Sequence, residues 1–261
     1  MNQFRMVGVL HLPALPGAAN YGGQPVAEMA EAAAHDARIL ASAGFTDVMI
    51  QDASDSPQPI TVESPTIAAL CVIGASVRAA SNMTLGVIAG HNDGAASVAI
   101  AHAIDAAFIR VKVLTGTSVG PTGFMHGCAL QVAHMKRLLA SDVEIWADVH
   151  EATSLPLVGD IGAAALQSLA FGNADKLIVT RDSSVKDALD DIARLKEIVG
   201  DGIDILVGGR VNTDTLNDVL LAANGVIFGS ALKTGDGPGA RVDSVAAHKL
   251  GDQFTAFLTA L

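Results

Sequence analysis

Short apolar runs and longer alanine-rich stretches alternate eight times along this chain of 261 residues. The apolar runs are predicted strands, at residues 6–10, 48–50, 85–89, 107–113, 143–149, 177–180, 203–207 and 226–228. The stretches between them are predicted helices, at residues 28–43, 65–80, 93–104, 127–140, 155–171, 185–199, 213–222 and 242–261. Such alternation builds a parallel sheet covered by helices, and eight units favour closure into a ring. We therefore predict an α/β fold, a (β/α)8 TIM barrel, formed as a single domain by residues 1–261.

The composition narrows the class of protein further. Half of the residues are hydrophobic, yet no apolar run approaches the roughly 18 residues that span a membrane. The net charge of −11, with one Trp and one Tyr, argues against a nucleic-acid surface. Cys71 and Cys128 are too few for a disulfide framework and no basic leader is visible, so we expect a cytoplasmic protein. No Gly-x-Gly-x-x-Gly motif opens the first unit, which weakens the dinucleotide-binding alternative.

Two consecutive predicted strands near the end of the chain finish on glycine. In a barrel these are the seventh and eighth strands, whose loops commonly hold a phosphate against free backbone N–H groups. The alternative is that the glycines only turn the chain. We expect a small phosphorylated metabolite as ligand and a homo-oligomer as the assembly, and the predicted phosphate-binding residues are Gly208, Gly209, Arg210, Gly229, Ser230, Asn92 and His11.

Candidate catalytic residues follow from the ends of the predicted strands, because the chemistry of a barrel lies at that face. Strand alternation places Asp148 and His150 on one face, and Arg110 and Lys112 on one face of the preceding strand. If Lys112 lies within reach of Asp148, the two form either a structural ion pair or an acid–base pair. Arg110 lies deeper in the barrel, so a structural role is favoured for it. The predicted catalytic set is Asp148, His150, Lys112, Asp52 and Arg181.

Three histidines at predicted strand ends allow a weaker alternative. His11, His91 and His150, together with Asp148, supply ligand types that suit a divalent metal. A single histidine at a strand end more often donates a hydrogen bond or moves a proton. The sequence therefore requires no cofactor, and it leaves a divalent metal open.

Several segments resemble one known family. They include residues 7–17, Val-Gly-Val-Leu-His-Leu-Pro-Ala-Leu-Pro-Gly, and residues 108–116, Phe-Ile-Arg-Val-Lys-Val-Leu-Thr-Gly. Residues 147–150 and 229–233 are similar to later motifs of the same family, which is the BtpA family, also called BtpA/SgcQ. The resemblance implies a (β/α)8 barrel. The family name is tied to photosystem I biogenesis in cyanobacteria, and other members resemble enzymes of sugar metabolism.

The chain also departs from the pattern of that family. Lys112 stands where the family usually has Asn, and Gln51-Asp52 replaces a Glu-Asn pair. Residues 151–153, Glu-Ala-Thr, replace Val-Lys-His, and residues 181–184 replace a Gly-x-x-Thr-Gly loop. One interpretation is that a cation has moved from the fifth-strand loop to Lys112 or Arg181, and we regard the chain as a divergent member.

The first hypothesis for function is an enzyme acting on a small phosphorylated sugar or nucleotide-derived compound. Asp148 would be the general acid or base, His150 its partner, and Lys112 would stabilise negative charge. Isomerisation, lyase chemistry and glycosidic cleavage stay open. A sharper variant makes Lys112 a Schiff-base lysine, its pKa lowered by burial and by Arg110. The other hypotheses are a metal-dependent hydrolase and a non-enzymatic assembly protein. The assembly protein would have an occluded or empty strand-end face and an exposed apolar patch on the helices.

Overall fold

The computed structural model describes residues 4–235, 237 and 239–260, and eight of its strands close into a parallel barrel. With strands numbered along the chain, the ring runs through β1 (Arg5–His11), β2 (Asp47–Gln51), β3 (Thr84–Ile88), β4 (Phe108–Val111), β7 (Glu144–Asp148), β9 (Lys176–Thr180), β10 (Asp204–Gly208) and β11 (Gly225–Phe228). The last strand returns to the first, since Gly8 lies opposite Phe228. The predicted (β/α)8 barrel is confirmed.

Eight helices cover the outside of the ring in the described residues. They are α1 (Val26–Ser42), α2 (Ser64–Ala80), α3 (Gly94–Ala103), α4 (Ala129–Leu138), α5 (Ile161–Ala170), α6 (Val185–Val199), α7 (Leu216–Ala222) and α8 (Ser244–Ala260). The predicted helix at 155–171 begins six residues too early, since α5 starts at Ile161. Leu261, the predicted end of the last helix, lies outside the described residues. None of the described helices has the length and apolar character needed to cross a membrane.

A small antiparallel sheet stands beside the barrel, which the sequence did not predict. Its strands are β5 (Thr117–Gly120), β6 (Gly123–His126) and β8 (Leu155–Pro156), in the order β6-β5-β8. They are inserted after β4 and after β7, where the chain would otherwise pass directly into a helix. The residues missed as strand therefore belong to loops at the carboxyl ends of two neighbouring barrel strands.

The interior of the ring is filled at the amino end of the strands. Phe108 and Trp146 stack there with ring centroids 3.6 Å apart and planes inclined by 6°. Gly86 makes room for this stack, because a Cβ atom at residue 86 would lie 2.1 Å from the Phe108 ring. Glu144 accepts a hydrogen bond from the Trp146 indole at 2.8 Å and pairs with Lys176. These contacts fill this part of the barrel interior, and the cavity described below lies toward the carboxyl ends of the strands.

Candidate active site

A cavity of about 300 Å³ opens at the carboxyl ends of the barrel strands. We call it the mouth, and define it by its polar and glycine residues: His11, Gln51, Arg110, Lys112, Glu151, Thr153, Thr180, Asp182, Gly209, Arg210, Gly229 and Ser230. Six of the residues predicted from sequence lie in this set: His11, Lys112, Gly209, Arg210, Gly229 and Ser230. The mouth holds more basic than acidic side chains, although the protein as a whole has a net charge of −11.

Arg110, and not Lys112, is the partner of Asp148. The guanidinium donates Nε to Oδ2 and Nη2 to Oδ1, both at 2.8 Å, and the Asp148 side chain is 0% exposed. A buried bidentate pair of this kind keeps the carboxylate charged and occupied. Asp148 does not line the mouth, and its pairing with Arg110 favours a structural role over the predicted role as general acid or base.

The Lys112 ammonium has no partner of its own. Within the part of the chain that the structure describes, Nζ forms no hydrogen bond and no ion pair, although Lys112 is largely buried. Burial lowers the pKa of Lys112, and the neighbouring Arg110 guanidinium lowers it further. A cation held without a partner in a cavity costs free energy, which a bound anion or a lost proton relieves.

Glu151 takes the place in the mouth that alternation predicts for His150. Strand β7 ends at Asp148, and His150 has a φ of 57°, so the two-residue alternation stops there. The Glu151 carboxylate accepts hydrogen bonds from the Thr153 hydroxyl at 2.7 Å and from the Thr153 N–H at 3.1 Å. Burial tends to raise the pKa of Glu151, but the hydroxyl groups of Ser154 and Thr153 outweigh it and hold the pKa below its ordinary value. Glu151 is therefore a charged acceptor facing the mouth.

The Thr153 hydroxyl also lies 3.3 Å from Nε2 of His91. Burial lowers the pKa of His91, with a further contribution from Lys112, so its ring is neutral. A neutral ring that carries its proton on Nε2 can donate to Thr153, which in turn donates to Glu151. His91 thus helps to position the Glu151 carboxylate through the Thr153 hydroxyl.

His150 and Arg181 lie away from the mouth, contrary to their predicted catalytic roles. His150 lines a separate cavity of about 40 Å³ with Asp148 and Lys112. The Arg181 guanidinium donates to the His150 carbonyl at 2.9 Å and pairs with Asp191 at 2.6 Å. Because Arg181 is neutralised there, Lys112 is the better of the two candidates for the relocated cation.

Asp52 and Asn92 brace strand ends and do not line the mouth. Both carboxylate oxygens of Asp52 accept from the Gly90 N–H, at 2.9 and 3.0 Å, and burial raises its pKa to about 6. The Asn92 amide exchanges two hydrogen bonds of 2.9 Å with the backbone of Val113. The oxygen and the nitrogen of the Asn92 amide are both engaged in these hydrogen bonds, so the geometry favours structural roles for Asp52 and Asn92 over the predicted ones.

The two glycine loops meet at the mouth. Gly209 and Arg210 have φ values of 75° and 52°, a left-handed turn that glycine permits at its first position. The N–H groups of Arg210 and Ser230 have no hydrogen-bond partner among the described residues. Gly208, like Asn92, belongs to the predicted set but does not line the mouth, since it ends β10.

The His11 ring lies in the mouth beside the glycine loop at residue 229. A Cβ atom at Gly229 would lie 3.2 Å from Cε1 of His11, so glycine lets the ring sit against the loop. Burial lowers the pKa of His11 to about 4, helped by the charges of Lys233, Arg110 and Lys112. The ring is therefore neutral at pH 7, and it can donate or accept a hydrogen bond.

The four residues of the metal alternative do not come together. His11 lies in the mouth. His91 lies beside Thr153, and Asp148 is paired with Arg110. His150 lines the smaller cavity. Among the residues described, no group of three or more His, Cys, Asp or Glu side chains is placed to hold a metal ion. These four residues do not form one ligand set.

We predict that replacing His11 by Gln makes the protein less sensitive to acid. The unfolded chain protonates His11 below its ordinary pKa of 6.5, whereas the folded protein does so only near pH 4. Stability from this residue is therefore present above pH 6.5 and is lost as the pH falls toward 4. Between pH 7 and about pH 4.5, wild type should lose about 2 kcal/mol more than His11→Gln in urea unfolding. A variant at the exposed His102 is the control, and an equal loss in His11→Gln and wild type would contradict the prediction.

Comparisons with known proteins agree with the fold and with the sequence motifs. A model of the BtpA family matches residues 2–254. An uncharacterized protein of Thermococcus kodakarensis is 34% identical over 87% of this chain and 86% of its own length. The photosystem I biogenesis protein BtpA of Synechocystis sp. is 30% identical over 87% of this chain and 80% of its own length.

Solved structures resemble the barrel at much lower identity. N-(5'-phosphoribosyl)anthranilate isomerase from Pyrococcus furiosus has a TM-score of 0.57 and 10% identity, with 97% of this chain and 99% of that chain covered. KGPDC from Streptococcus mutans has a TM-score of 0.59 and 13% identity, with 98% and 100% covered. These structures share the fold alone, whereas the family match and the relatives extend over most of the sequence. The chain belongs to the BtpA family.

Proposed function

We propose that this protein is an enzyme that binds a small phosphorylated sugar in the mouth and acts on its carbonyl group through Lys112. The observation that carries the proposal is the unpartnered, largely buried Lys112 ammonium in a cavity whose opposite wall is made of two glycine loops. The nature of the solved neighbours supports the substrate class, since two are named for phosphorylated sugars: phosphoribosylanthranilate isomerase and 2-keto-3-deoxy-6-phospho-gluconate aldolase.

The phosphate would bind at Gly209, Arg210, Gly229 and Ser230. Arg210 and Ser230 line this part of the mouth, their N–H groups have no hydrogen-bond partner among the described residues, and the Arg210 side chain adds a positive charge. Backbone N–H groups and a guanidinium are the donors that phosphate oxygens prefer. Gly208 is not included in this set, because it is the last residue of strand β10 and does not line the mouth.

Lys112 would form a Schiff base with the carbonyl carbon of the sugar. The Lys112 ammonium first gives one proton to a base, and the free amine then adds to the carbonyl carbon. The carbonyl oxygen takes up this proton and a second one from the nitrogen, the C–O bond breaks, and water leaves behind an iminium ion. Glu151 is the charged acceptor in the same cavity that can carry these protons, and Arg110 keeps Asp148 from competing for Lys112. An iminium ion withdraws electrons from the neighbouring carbon, so lyase and isomerase chemistry both follow from this intermediate.

Trapping with borohydride tests the role of Lys112. We expect dihydroxyacetone phosphate and borohydride to place a reduced adduct on Lys112, identified by peptide mass spectrometry, and dihydroxyacetone to label it far less. The variant Lys112→Met should carry no such adduct while staying folded. Lys186, whose side chain is 80% exposed, reports the background of nonspecific labelling. Labelling of Lys186 without labelling of Lys112 would refute the amine mechanism.

The phosphate site has a separate test. Crystals grown with sulfate should show the anion against Ser230 and Arg210, and Gly229→Val should abolish it by filling the space beside His11. An anion bound elsewhere in the barrel, with these two loops empty, would contradict the proposed orientation of the substrate.

An assembly role without catalysis is less well supported. That hypothesis expects an occluded or empty strand-end face, and it leaves the largely buried Lys112 in the open mouth of about 300 Å³ without a role. Exposed apolar side chains do occur on the small sheet, at Phe124 and Leu155, and they suit a homo-oligomer contact that light scattering would detect. We place the protein in the cytoplasm, which the unpaired thiols of Cys71 and Cys128 support.

A further inference from the structure

A second cavity, of about 210 Å³, adjoins the mouth and shares the side chain of His11 with it. It lies between the end of β1, the first half of α1 and the loop that leads into α8. We call it the side cavity, and its walls include Gln24, Met29, Asp36, Lys233 and Arg241. We propose that the side cavity is a carboxylate subsite in which Lys233 binds the second anionic group of a phosphorylated sugar acid. This inference rests on the proposed phosphate site in the mouth.

The Lys233 ammonium has N–H groups that no other described residue uses. Its ammonium donates one hydrogen bond, to the Val9 carbonyl at 3.1 Å, and no carboxylate of the described residues lies within ion-pair distance. Burial lowers the pKa of Lys233 to about 8, so the ammonium form still dominates at pH 7. Two N–H groups therefore remain for a ligand.

The other charges of the side cavity cancel. Arg241 donates Nε and Nη2 to the carboxylate of Asp36, at 2.9 and 2.8 Å, and Asp36 also accepts the Val242 N–H at 3.2 Å. The His11 ring is neutral at pH 7, as its pKa of about 4 requires. The cavity thus carries one net positive charge, which suits a carboxylate rather than a doubly charged phosphate.

His11 lines both cavities, which places them next to each other, and we infer that one molecule extends past this ring from one to the other. Its neighbour on the mouth side is Gly229, and Lys233 is the charge that lowers the pKa of His11 most. A ligand with its phosphate on the glycine loops would therefore pass His11 before its far end meets Lys233. The substrate class narrows from a phosphorylated sugar to a phosphorylated sugar acid.

Two probes that differ only at one end test the subsite. They are 6-phosphogluconate and glucitol 6-phosphate, which carry a carboxylate and a hydroxymethyl group at the same carbon. In calorimetry at pH 7 we expect wild type to bind 6-phosphogluconate roughly tenfold more tightly. Lys233→Met should remove this preference and leave glucitol 6-phosphate binding unchanged, whereas Lys249→Met, on the exposed face of α8, should retain it. At pH 9 the preference should shrink, because the ammonium loses its proton.

Equal binding of the two probes by wild type, or a preference that survives Lys233→Met, would overturn the subsite and leave the proposed function standing. Failure of both probes to bind would overturn the phosphate site, and with it the subsite. Gly229→Val separates these results, since it should weaken both probes to the same extent.

Discussion

Replacing Arg110 by Met is expected to lower the free energy of unfolding by about 3–5 kcal/mol. The guanidinium makes two hydrogen bonds of 2.8 Å with Asp148, whose side chain is 0% exposed. Without Arg110 this carboxylate stays buried with a long contact of 3.4 Å from Thr180 and with the charge of Lys112 nearby, so the cost is that of a buried carboxylate that has lost its two short hydrogen bonds. Urea unfolding at pH 7 measures the loss.

A double variant separates the value of the pair from the cost of breaking it. Arg110→Met with Asp148→Leu removes both charges, and we expect it to recover most of the stability that the single change loses. Arg78→Met is the matched control, because its ion pair with Asp105 is exposed and should contribute at most about 1 kcal/mol. A loss below about 1 kcal/mol for Arg110→Met would show that Asp148 is not held as the geometry indicates.

The second large effect is expected at the amino end of the barrel, where Trp146→Ala should cost about 3–5 kcal/mol. Trp146 is 0% exposed and stacks on Phe108 at 3.6 Å, so its loss leaves a cavity inside a ring of strands that cannot collapse. The Glu144 carboxylate would also lose the indole N–H that it accepts at 2.8 Å. Thermal and urea unfolding both report this change.

Two further variants give the scale for that loss. Trp146→Phe keeps the stack and should cost less than half as much as Trp146→Ala, because the ring still fills most of the space. Phe171→Ala, at a position 74% exposed, should stay within about 0.5 kcal/mol of wild type. If Trp146→Ala were no worse than Phe171→Ala, the stacked pair would not be a determinant of stability.

The barrel was predictable because its pattern is local. Each strand is a short apolar run, since both faces of a parallel strand are buried. Each helix is predicted by the length of its segment and by its alanine content. The small sheet escaped prediction for the opposite reason. Strand β8 is only Leu155–Pro156, too short to show a period, and it pairs with residues nearly forty positions earlier in the chain.

The candidate site was predictable in part. Lys112 and the glycine loops follow from strand ends, which the topology of a barrel brings to one face. Glu151 was visible only as a departure from a family motif, because strict alternation assigned the inward position to His150. The turn at His150, with φ 57°, reversed that assignment.

The sequence by itself determined the order of strands and helices, the closed ring and the face on which polar strand ends collect, because each depends on patterns within single elements. Only the tertiary structure decided which charges neutralise each other. The register pairs Arg110 with Trp146, two residues short of Asp148, yet the long guanidinium side chain bridges that distance. Lys112 is therefore left without an ion pair among the residues that the structure describes. Ion pairing depends on how far side chains extend between strands, and no periodicity in the sequence shows that distance.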